Sequence, residues 1–246
     1  MIYDQKAADE YDDLHADRFA EAATSADLLA ELAGAGPVLE LGIGTGRLAL
    51  PLVARGVEVH GVDSSEAMVQ RLRAKPGGPD VPVVVGDFAD LGSLVGGRYR
   101  LVFVAYNTLF ELPTQEHQLR CMTGVAQHLV PGGALVVEAM TPDLTRLEQA
   151  VAVARADHQR VVLHASRHDP VTQQVVTQRV TITDEGVRLS PFTIRYASVP
   201  ELDLMARLAG LRLRDRWGGW HREAFGADSS RHVSVYELPA GGPSSP

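Results

Sequence analysis

Between residues 36 and 140, short apolar runs alternate with segments whose apolar residues recur at helical spacing. Five runs have the length and composition of buried strands: Val38–Ile43, Val57–Val62, Val81–Val85, Leu101–Ala105 and Ala134–Glu138. The helical segments between them are Arg47–Arg55, Glu66–Lys75 and Glu116–Leu129. Buried strands that alternate with helices predict an α/β fold, in which a doubly wound parallel sheet carries helices on both faces.

The segments that flank this core, residues 36–140, have different patterns. Residues 1–35 place small apolar residues at helical spacing and are predicted to form a helical cap. Residues 141–198 are rich in Val, Thr and Ile between turn signals, which predicts an inserted antiparallel β-meander acting as a substrate lid or dimer contact. Residues 199–238 are expected to complete the core sheet, and 239–246 to form a flexible tail. The predicted strands in these segments are Val161–Arg167, Gln173–Thr183, Val187–Tyr196, Leu211–Trp217 and His232–Leu238.

A glycine-rich loop follows the first predicted strand. Gly42, Gly44 and Gly46 occupy alternate positions, and Asp63 ends the second strand about twenty residues further on. Glycine lets a strand turn sharply and lets backbone N–H groups approach a ligand. A carboxylate at the end of the second strand can accept hydrogen bonds from both hydroxyls of a ribose. These residues predict a nucleoside-bearing cofactor, with Ile43 and Ser64 as neighbouring contacts.

Two charged residues beside the loop discriminate between cofactors. Arg47 stands where the dinucleotide fingerprint has its third glycine, so a pyrophosphate is disfavoured and NAD is the weaker alternative. Glu40 would repel a pyrophosphate and suits a cofactor with a cationic end. S-adenosylmethionine has a ribose, an amino acid tail and an adenine. The third strand ends in Gly86, Asp87 and Phe88, which offer an acceptor for the adenine amino group and a ring to pack on it. The sequence therefore predicts S-adenosylmethionine.

With these motifs the chain resembles the class I S-adenosylmethionine-dependent methyltransferases. Leu39–Gly46, Gly61–Met68 and Val85–Phe88 are similar to the family's first three motifs, and Leu129–Gly133 to the turn before its fifth strand. The resemblance implies a Rossmann-like sheet of about seven strands whose last strand is antiparallel. It also implies that Met68 lies beneath the adenine and that Tyr11 covers the cofactor. The early tyrosines and the β-rich insertion are similar to natural-product N-methyltransferases, including those of amino sugars.

Composition restricts the partners. The net charge is −8 and the arginines are scattered, which argues against nucleic acids and anionic membranes. The single cysteine, Cys121, excludes an internal disulfide, and no metal site is predicted. The run Asn107–Phe110 lacks the two prolines found in the family that methylates nucleobases and glutamine amides. Without an apolar signal core or a membrane-spanning stretch, the protein is expected to be cytoplasmic.

Candidates for the chemistry follow the fourth and fifth strands, because ligands of open α/β sheets sit beyond the carboxyl ends of the strands. The predicted catalytic residues are Tyr106, Asn107, Glu138 and His221. Glu138 and His221 are placed to orient or deprotonate an acceptor, and Tyr106 also faces the methyl donor. The predicted substrate-binding residues are Tyr3, Glu138, Arg195, Tyr196, Trp220 and His221.

Together these features predict methyl transfer to a small-molecule acceptor, most simply an amine nitrogen of a bacterial secondary metabolite or its amino sugar. A neutral amine needs no strong base, whereas a hydroxyl needs a general base or an activating partner. A small-molecule O-methyltransferase is the alternative, and a non-catalytic cofactor-binding module is a lesser one. The long antiparallel edges of the insertion also predict a homodimer.

Overall fold

A computed structural model describes residues 4–144 and 150–241 and contains two separate sheets. The strands are β1 Val38–Leu41, β2 Val59–Asp63, β3 Val83–Val85, β4 Tyr99–Val104, β5 Leu129–Met140, β6 Val151–Ala156, β7 Val161–Asp169, β8 Gln174–Thr183, β9 Gly186–Arg195, β10 Arg212–Trp217 and β11 Arg231–Glu237. The described helices are α1 Gln5–Leu14, α2 Ala16–Ala20, α3 Ala22–Ala33, α4 Ala49–Ala54, α5 Glu66–Arg73, α6 Leu91–Leu94, α7 Gln115–His128 and α8 Val199–Leu208, with 3-10 turns at Phe88–Asp90 and Thr108–Glu111.

The larger sheet has seven strands in the order β10-β11-β5-β4-β1-β2-β3. The five strands from β5 to β3 are parallel, whereas β11 runs antiparallel to β5 and β10 runs antiparallel to β11. The predicted doubly wound sheet with an antiparallel last strand is therefore confirmed. The chain leaves β1 on one side toward β2 and returns on the other side as β4, so the carboxyl ends of β1 and β4 flank a crevice. Ligands of open α/β sheets bind at such a switch point.

The core lies on both faces of this sheet, because successive strand residues point to opposite faces. All four residues of β1 are buried. Val38 joins a hydrophobic cluster with Leu28 of α3 and Leu52 of α4. Its neighbour Leu39 joins the cluster on the other face, which contains Met122 of α7. This near-continuous apolar character fits a central strand covered on both faces.

The second sheet is antiparallel and has the order β6-β7-β8-β9. The antiparallel meander is confirmed, but it has one more strand than expected, because β6 was not predicted. All six residues of β6 are exposed, and alanine occupies every second position, after Val151, Val153 and Arg155. An edge strand that buries nothing carries little of the alternating signal on which a strand prediction depends. The predicted flexible tail lies partly outside the described residues, at 242–246.

A buried histidine in β11 makes the stability of the fold depend on pH. His232 is fully buried, and its Nδ1 lies 2.9 Å from Ser234 Oγ. Burial and the nearby Arg216 guanidinium lower its pKa from 6.5 to about 4. The neutral ring therefore contributes its full stability above pH 6.5, and that contribution is lost progressively as the pH falls toward 4.

We expect the stability difference between the wild type and His232→Asn to shrink by about 2 kcal/mol from pH 7.5 to pH 5. Asparagine keeps a polar partner for Ser234 but does not titrate. Urea unfolding at both pH values measures the difference, and other titrating groups cancel because both proteins carry them. A difference that stays constant over this range would show that His232 does not control the acid limb.

Candidate active site

The glycine loop between β1 and α4 has the backbone conformation that its sequence predicted. Gly42, Gly44 and Gly46 have φ values of +69°, +56° and +82°, a region that other residues rarely adopt. A β-carbon would collide with Thr108 at Gly42 and with Leu72 at Gly46. The loop therefore requires glycine for conformation and also for space. The helix that follows begins only at Ala49, two residues later than expected.

Asp63 connects the end of β2 to this loop. Its Oδ2 accepts a hydrogen bond from Gly44 N at 2.7 Å, and its Oδ1 accepts one from Ser65 N at 2.8 Å. Burial raises the pKa of this carboxyl group, and the two backbone N–H donors oppose that rise. An ionised carboxylate has about four acceptor positions, so Asp63 retains capacity for the two ribose hydroxyls. Ser64 is exposed, and Ser65 caps α5 instead.

Glu40 and Arg47 place opposite charges beside the loop. Glu40 is 5% exposed and, among the described residues, no hydrogen-bond partner reaches its Oε2. Burial raises the pKa of Glu40 to about 8, although the charge of Arg47 and the N–H of Ala49 lower it. The Arg47 guanidinium lies 5.8 Å from the centre of the Tyr106 ring. A buried carboxylate oxygen without a partner, next to a guanidinium, fits the ammonium and carboxylate of a methionine tail.

The third motif, Gly86–Phe88, directly follows β3. Asp87 is exposed, and its Oδ1 accepts from Ala89 N at 2.8 Å, which caps the 3-10 turn. Phe88 is 8% exposed and packs in the hydrophobic core. A β-carbon at Gly86 would lie only 2.8 Å from the Leu94 side chain. Met68 is buried, and its side chain would lie 3.3 Å from a β-carbon at Gly44. Adenine binding by these residues stays a prediction, in which Asp87 keeps its second oxygen for the ligand.

Helix α1 lies across the glycine loop and is held there by polar contacts. Lys75 Nζ donates to the Thr45 carbonyl oxygen at 2.8 Å and lies 2.5 Å from Asp12 Oδ2. Thr45 Oγ1 donates to Asp12 Oδ1 at 2.6 Å. The same helix places Tyr11 beside His15, with 4.5 Å between the ring centroids. These contacts attach the helical cap to the glycine loop.

Two residues with left-handed backbone follow β4. Tyr106 and Asn107 have φ values of 57° and 65°, which is unusual for side chains of this size. Glu138 Oε2 accepts from Tyr106 N at 3.0 Å, and Asn107 Oδ1 accepts from Met140 N at 2.6 Å. Both contacts come from the end of β5. They hold the Tyr106 ring at the crevice, where its hydroxyl lies 3.2 Å from His15 Nδ1.

A cavity of about 360 Å³ opens between α1, the end of β4 and the four-stranded sheet. Tyr11, His15, Tyr106 and Asn107 line it at the end nearest the glycine loop. Burial raises the pKa of the Tyr11 hydroxyl. The charge of Arg47 lowers this pKa, and the charge of Glu111 raises it. Most of the remaining wall comes from alternate residues of β7 and β8 and from the second half of β9. This volume suits an acceptor the size of a sugar or amino acid.

Three predicted acceptor residues do not line this cavity. Trp220 is 3% exposed and packs in the core beside Val233 and Ala105. His221 is exposed, and its backbone N–H donates to Glu223. Glu138 is buried, and its oxygens face Tyr106 N and Arg231. The predictions of pocket contact for these residues are corrected, and Glu138 instead positions Tyr106.

Arg195 and Tyr196 are also placed in the interior rather than over an acceptor. Arg195 donates to Gln118 Oε1 at 2.8 Å, to Gln173 Oε1 at 2.7 Å and to Glu201 Oε1 at 2.6 Å. Tyr196 is 5% exposed, and its hydroxyl lies 2.9 Å from His168 Nε2. These contacts tie the end of β9 to α7 and α8, so their predicted substrate role is corrected. Tyr3 lies outside the described residues.

Sequence reasoning missed His15 and the site role of Arg47. His15 follows Tyr11 by four residues, so both lie on one face of a helical turn, and this spacing was a usable signal. Arg47 was considered only as an obstacle to a dinucleotide. Within residues 4–144 and 150–241, no group of three or more His, Cys, Asp or Glu side chains could hold a metal. In the same ranges no helix is both long and apolar enough to cross a membrane.

The sheet, the glycine loop, the acidic residue ending β2 and the adjoining cavity define a methyltransferase that uses S-adenosylmethionine, and the chain belongs to that family. Residues 38–133 match the model of a methyltransferase domain. S-adenosylmethionine is the cofactor that this site fits, and two structures with the same fold, 22% and 17% identical, hold it.

Three relatives are similar over most of their length. The CcbJ methyltransferase from Streptomyces caelestis is 44% identical, with a TM-score of 0.84 over 89% of this chain and 90% of that one. A cypemycin N-terminal methyltransferase from Streptomyces sp is 30% identical over 81% of this chain and 82% of that protein. A dTDP-3-amino-3,4,6-trideoxy-alpha-D-glucopyranose N,N-dimethyltransferase from Streptomyces venezuelae is 27% identical over 89% and 95%.

The raised pKa of Glu40 predicts that cofactor binding releases a proton. In the free enzyme the Glu40 pKa is about 8, so at pH 7 the carboxyl is mostly protonated. An ammonium group pairs with the ionised form, which must therefore lose its proton on binding. Between pH 6 and 7.5 we expect the affinity for S-adenosylhomocysteine to rise on the order of tenfold per pH unit.

Calorimetry in buffers of different ionisation enthalpy counts the released proton. Glu40→Gln should bind more weakly at pH 7.5, with little pH dependence and no proton release. Equal proton release from the wild type and from this variant would assign the titration to another group.

Proposed function

We propose that this enzyme methylates an amine nitrogen of a small natural product, either a bacterial secondary metabolite or its amino sugar. The observation that carries the proposal is the small cavity whose inner end is formed by Tyr11, His15 and Tyr106 beside the cofactor loop. Two relatives support nitrogen as the acceptor, since one is named for a peptide N-terminus and the other for an amino sugar.

The residues at the inner end supply positioning and a path for one proton. S-adenosylmethionine supplies a methyl group on a good leaving group, so alignment accounts for much of the rate. The Glu111 carboxylate lies at this end of the cavity and attracts an ammonium ion. His15 and the hydroxyl of Tyr106, 3.2 Å apart, form a hydrogen-bonded pair that can receive the amine proton.

Transfer of a labelled methyl group to a panel of acceptors tests the proposal. The panel should contain amino sugars, peptides with a free N-terminus, alkaloid-like amines and matched phenols. Methylation of amines with the phenols unreacted is expected. Methylation of phenols alone would identify an O-methyltransferase. An enzyme that binds S-adenosylhomocysteine but methylates nothing in the panel would contradict the proposal.

The setting of the reaction is part of the same proposal. We place the enzyme in the cytoplasm, because its single cysteine is buried and free and oxidising compartments favour disulfides. A nucleic acid is not proposed as a partner, in keeping with the net charge of −8.

We also propose that the enzyme is a homodimer, built on the face of the four-stranded sheet opposite the cavity. Val153, Leu163, Val180 and Leu189 form one apolar row across the four strands. Val153 and Leu189 are 65% and 62% exposed. Exposed apolar patches of this kind favour a protein partner, and a second copy presents the same patch.

Leu189→Glu is expected to convert the dimer to a monomer, because it introduces a charge into this row at its exposed β9 end. Sedimentation equilibrium measures the mass. Leu213→Glu, at a 44% exposed leucine in β10 of the other sheet, is the matched control and should leave the mass unchanged. A wild type that is monomeric, or a Leu189→Glu variant that stays dimeric, would overturn this interface.

A further inference from the structure

The sheet wall of the cavity contains a polar patch. Alternation along the strands turns His164 of β7, Arg179 of β8 and Ser190 of β9 toward the cavity, and these three residues are directly opposite one another across the strands. Thr177 and Thr181 flank Arg179 on the same face. A guanidinium surrounded by hydroxyl and imidazole groups is a set of hydrogen-bond donors.

Arg179 differs from the other arginines that line the cavity. Arg188 is paired with Glu10, and Arg160 Nε lies 4.0 Å from Asp157 Oδ2. Arg179 instead lies over the Phe192 ring, 5.4 Å from its centroid. Among residues 4–144 and 150–241, no carboxylate lies within ion-pair distance of it. The charge of Arg179 nevertheless acts inside the cavity. Burial lowers the pKa of His164, and the positive charge of Arg179 lowers it further.

The opposite end of the cavity holds charges of both signs. Glu111 lines it there, and its negative charge raises the pKa of the Tyr11 hydroxyl, which the positive charge of Arg47 lowers more strongly. The sheet wall instead carries the Arg179 guanidinium, for which the described residues offer no carboxylate partner. A ligand that complements this wall carries an anionic group there.

We infer that the acceptor carries an anionic group, a carboxylate or a phosphate, which Arg179 binds while the amine lies at Tyr106. This inference rests on the proposed function and adds the class of acceptor. Arg179 is then a specificity residue, because the planar guanidinium suits both anions. Ser190 and His164 supply the neighbouring donors.

Inorganic phosphate and acetate, titrated into the enzyme saturated with S-adenosylhomocysteine, test this site. Prior saturation keeps the anions out of the cofactor cleft. Calorimetry should show binding to the wild type and at least tenfold weaker binding to Arg179→Gln. Arg167→Gln is the matched control, since Arg167 is an exposed residue of the same sheet that alternation places on the opposite face.

Each outcome decides the inference. Tighter binding of phosphate identifies a phosphorylated acceptor, and tighter binding of acetate identifies a carboxylated one. No binding to the wild type, or equal binding by Arg179→Gln, would overturn the site. The His164 ring resonances provide a local readout, because they should shift with phosphate only if the anion sits beside Arg179. Failure of the proposed function is separate, since it would appear as absent methyl transfer with anion binding intact.

Discussion

Replacing Asp63 with asparagine is expected to weaken S-adenosylhomocysteine binding by roughly 100-fold, because two hydrogen bonds to a charged acceptor are lost or reduced. Asparagine retains one acceptor oxygen. In the wild type, Gly44 N donates to Asp63 Oδ2 at 2.7 Å. An amide nitrogen in place of this oxygen cannot accept that hydrogen bond. The substitution therefore disturbs the glycine loop and removes an acceptor for ribose. Isothermal titration calorimetry measures the change.

Two controls make this result specific to the site. Asp87→Asn should weaken binding by no more than about tenfold, because its Oδ1 can still cap Ala89 N and only the proposed contact with adenine changes. Thermal unfolding without ligand should show that both variants fold. If Asp63→Asn bound S-adenosylhomocysteine within threefold of the wild type, Asp63 would not be the ribose ligand.

The donor half of the site was readable from the sequence because its residues are local. A strand, a glycine loop and an acidic strand end lie close together along the chain, and each is required by backbone geometry. Gly42 and Gly46 have left-handed backbone and no room for a β-carbon. Such constraints leave a direct mark on the residue type. The core sheet was predictable for the same reason, since burial on both faces demands apolar runs.

The acceptor half was not readable, because its side chains are placed by contacts between distant segments. Arg195 donates hydrogen bonds to Gln118 and Glu201, and the spacing of these residues along the chain does not predict them. Trp220 was expected in a pocket because it follows a strand, but it packs beside Val233 in the core. The sequence shows that a residue lies at the end of a strand. Its contacts with residues distant in sequence decide which way its side chain points.

Glu138 shows how two interpretations of one residue separate experimentally. Its position at a strand end suggested a catalytic base. In the structure, its Oε2 accepts from Tyr106 N at 3.0 Å, within a pair of residues that have left-handed backbone. A base acts through its ionised form, whereas a backbone clamp needs only an acceptor oxygen. Glutamine retains that oxygen and cannot ionise, so it distinguishes the two roles.

We expect Glu138→Ala to lower kcat by roughly 100-fold, because freeing the Tyr106 backbone moves the ring at the reacting end of the cavity and small misplacements cost this much. Glu138→Gln should keep kcat within about tenfold of the wild-type value and leave the pH profile unchanged, because the amide oxygen can still accept from Tyr106 N. Arg231 loses the Glu138 carboxylate in this variant but still pairs with Glu21 at 2.8 Å. Steady-state kinetics with the acceptor that the panel identifies measures both variants. Binding of S-adenosylhomocysteine should be unchanged, because Glu138 contacts no residue of the glycine loop among its described partners. If glutamine were as inactive as alanine and the basic limb of the pH profile disappeared, Glu138 would be the base and not a positioning residue.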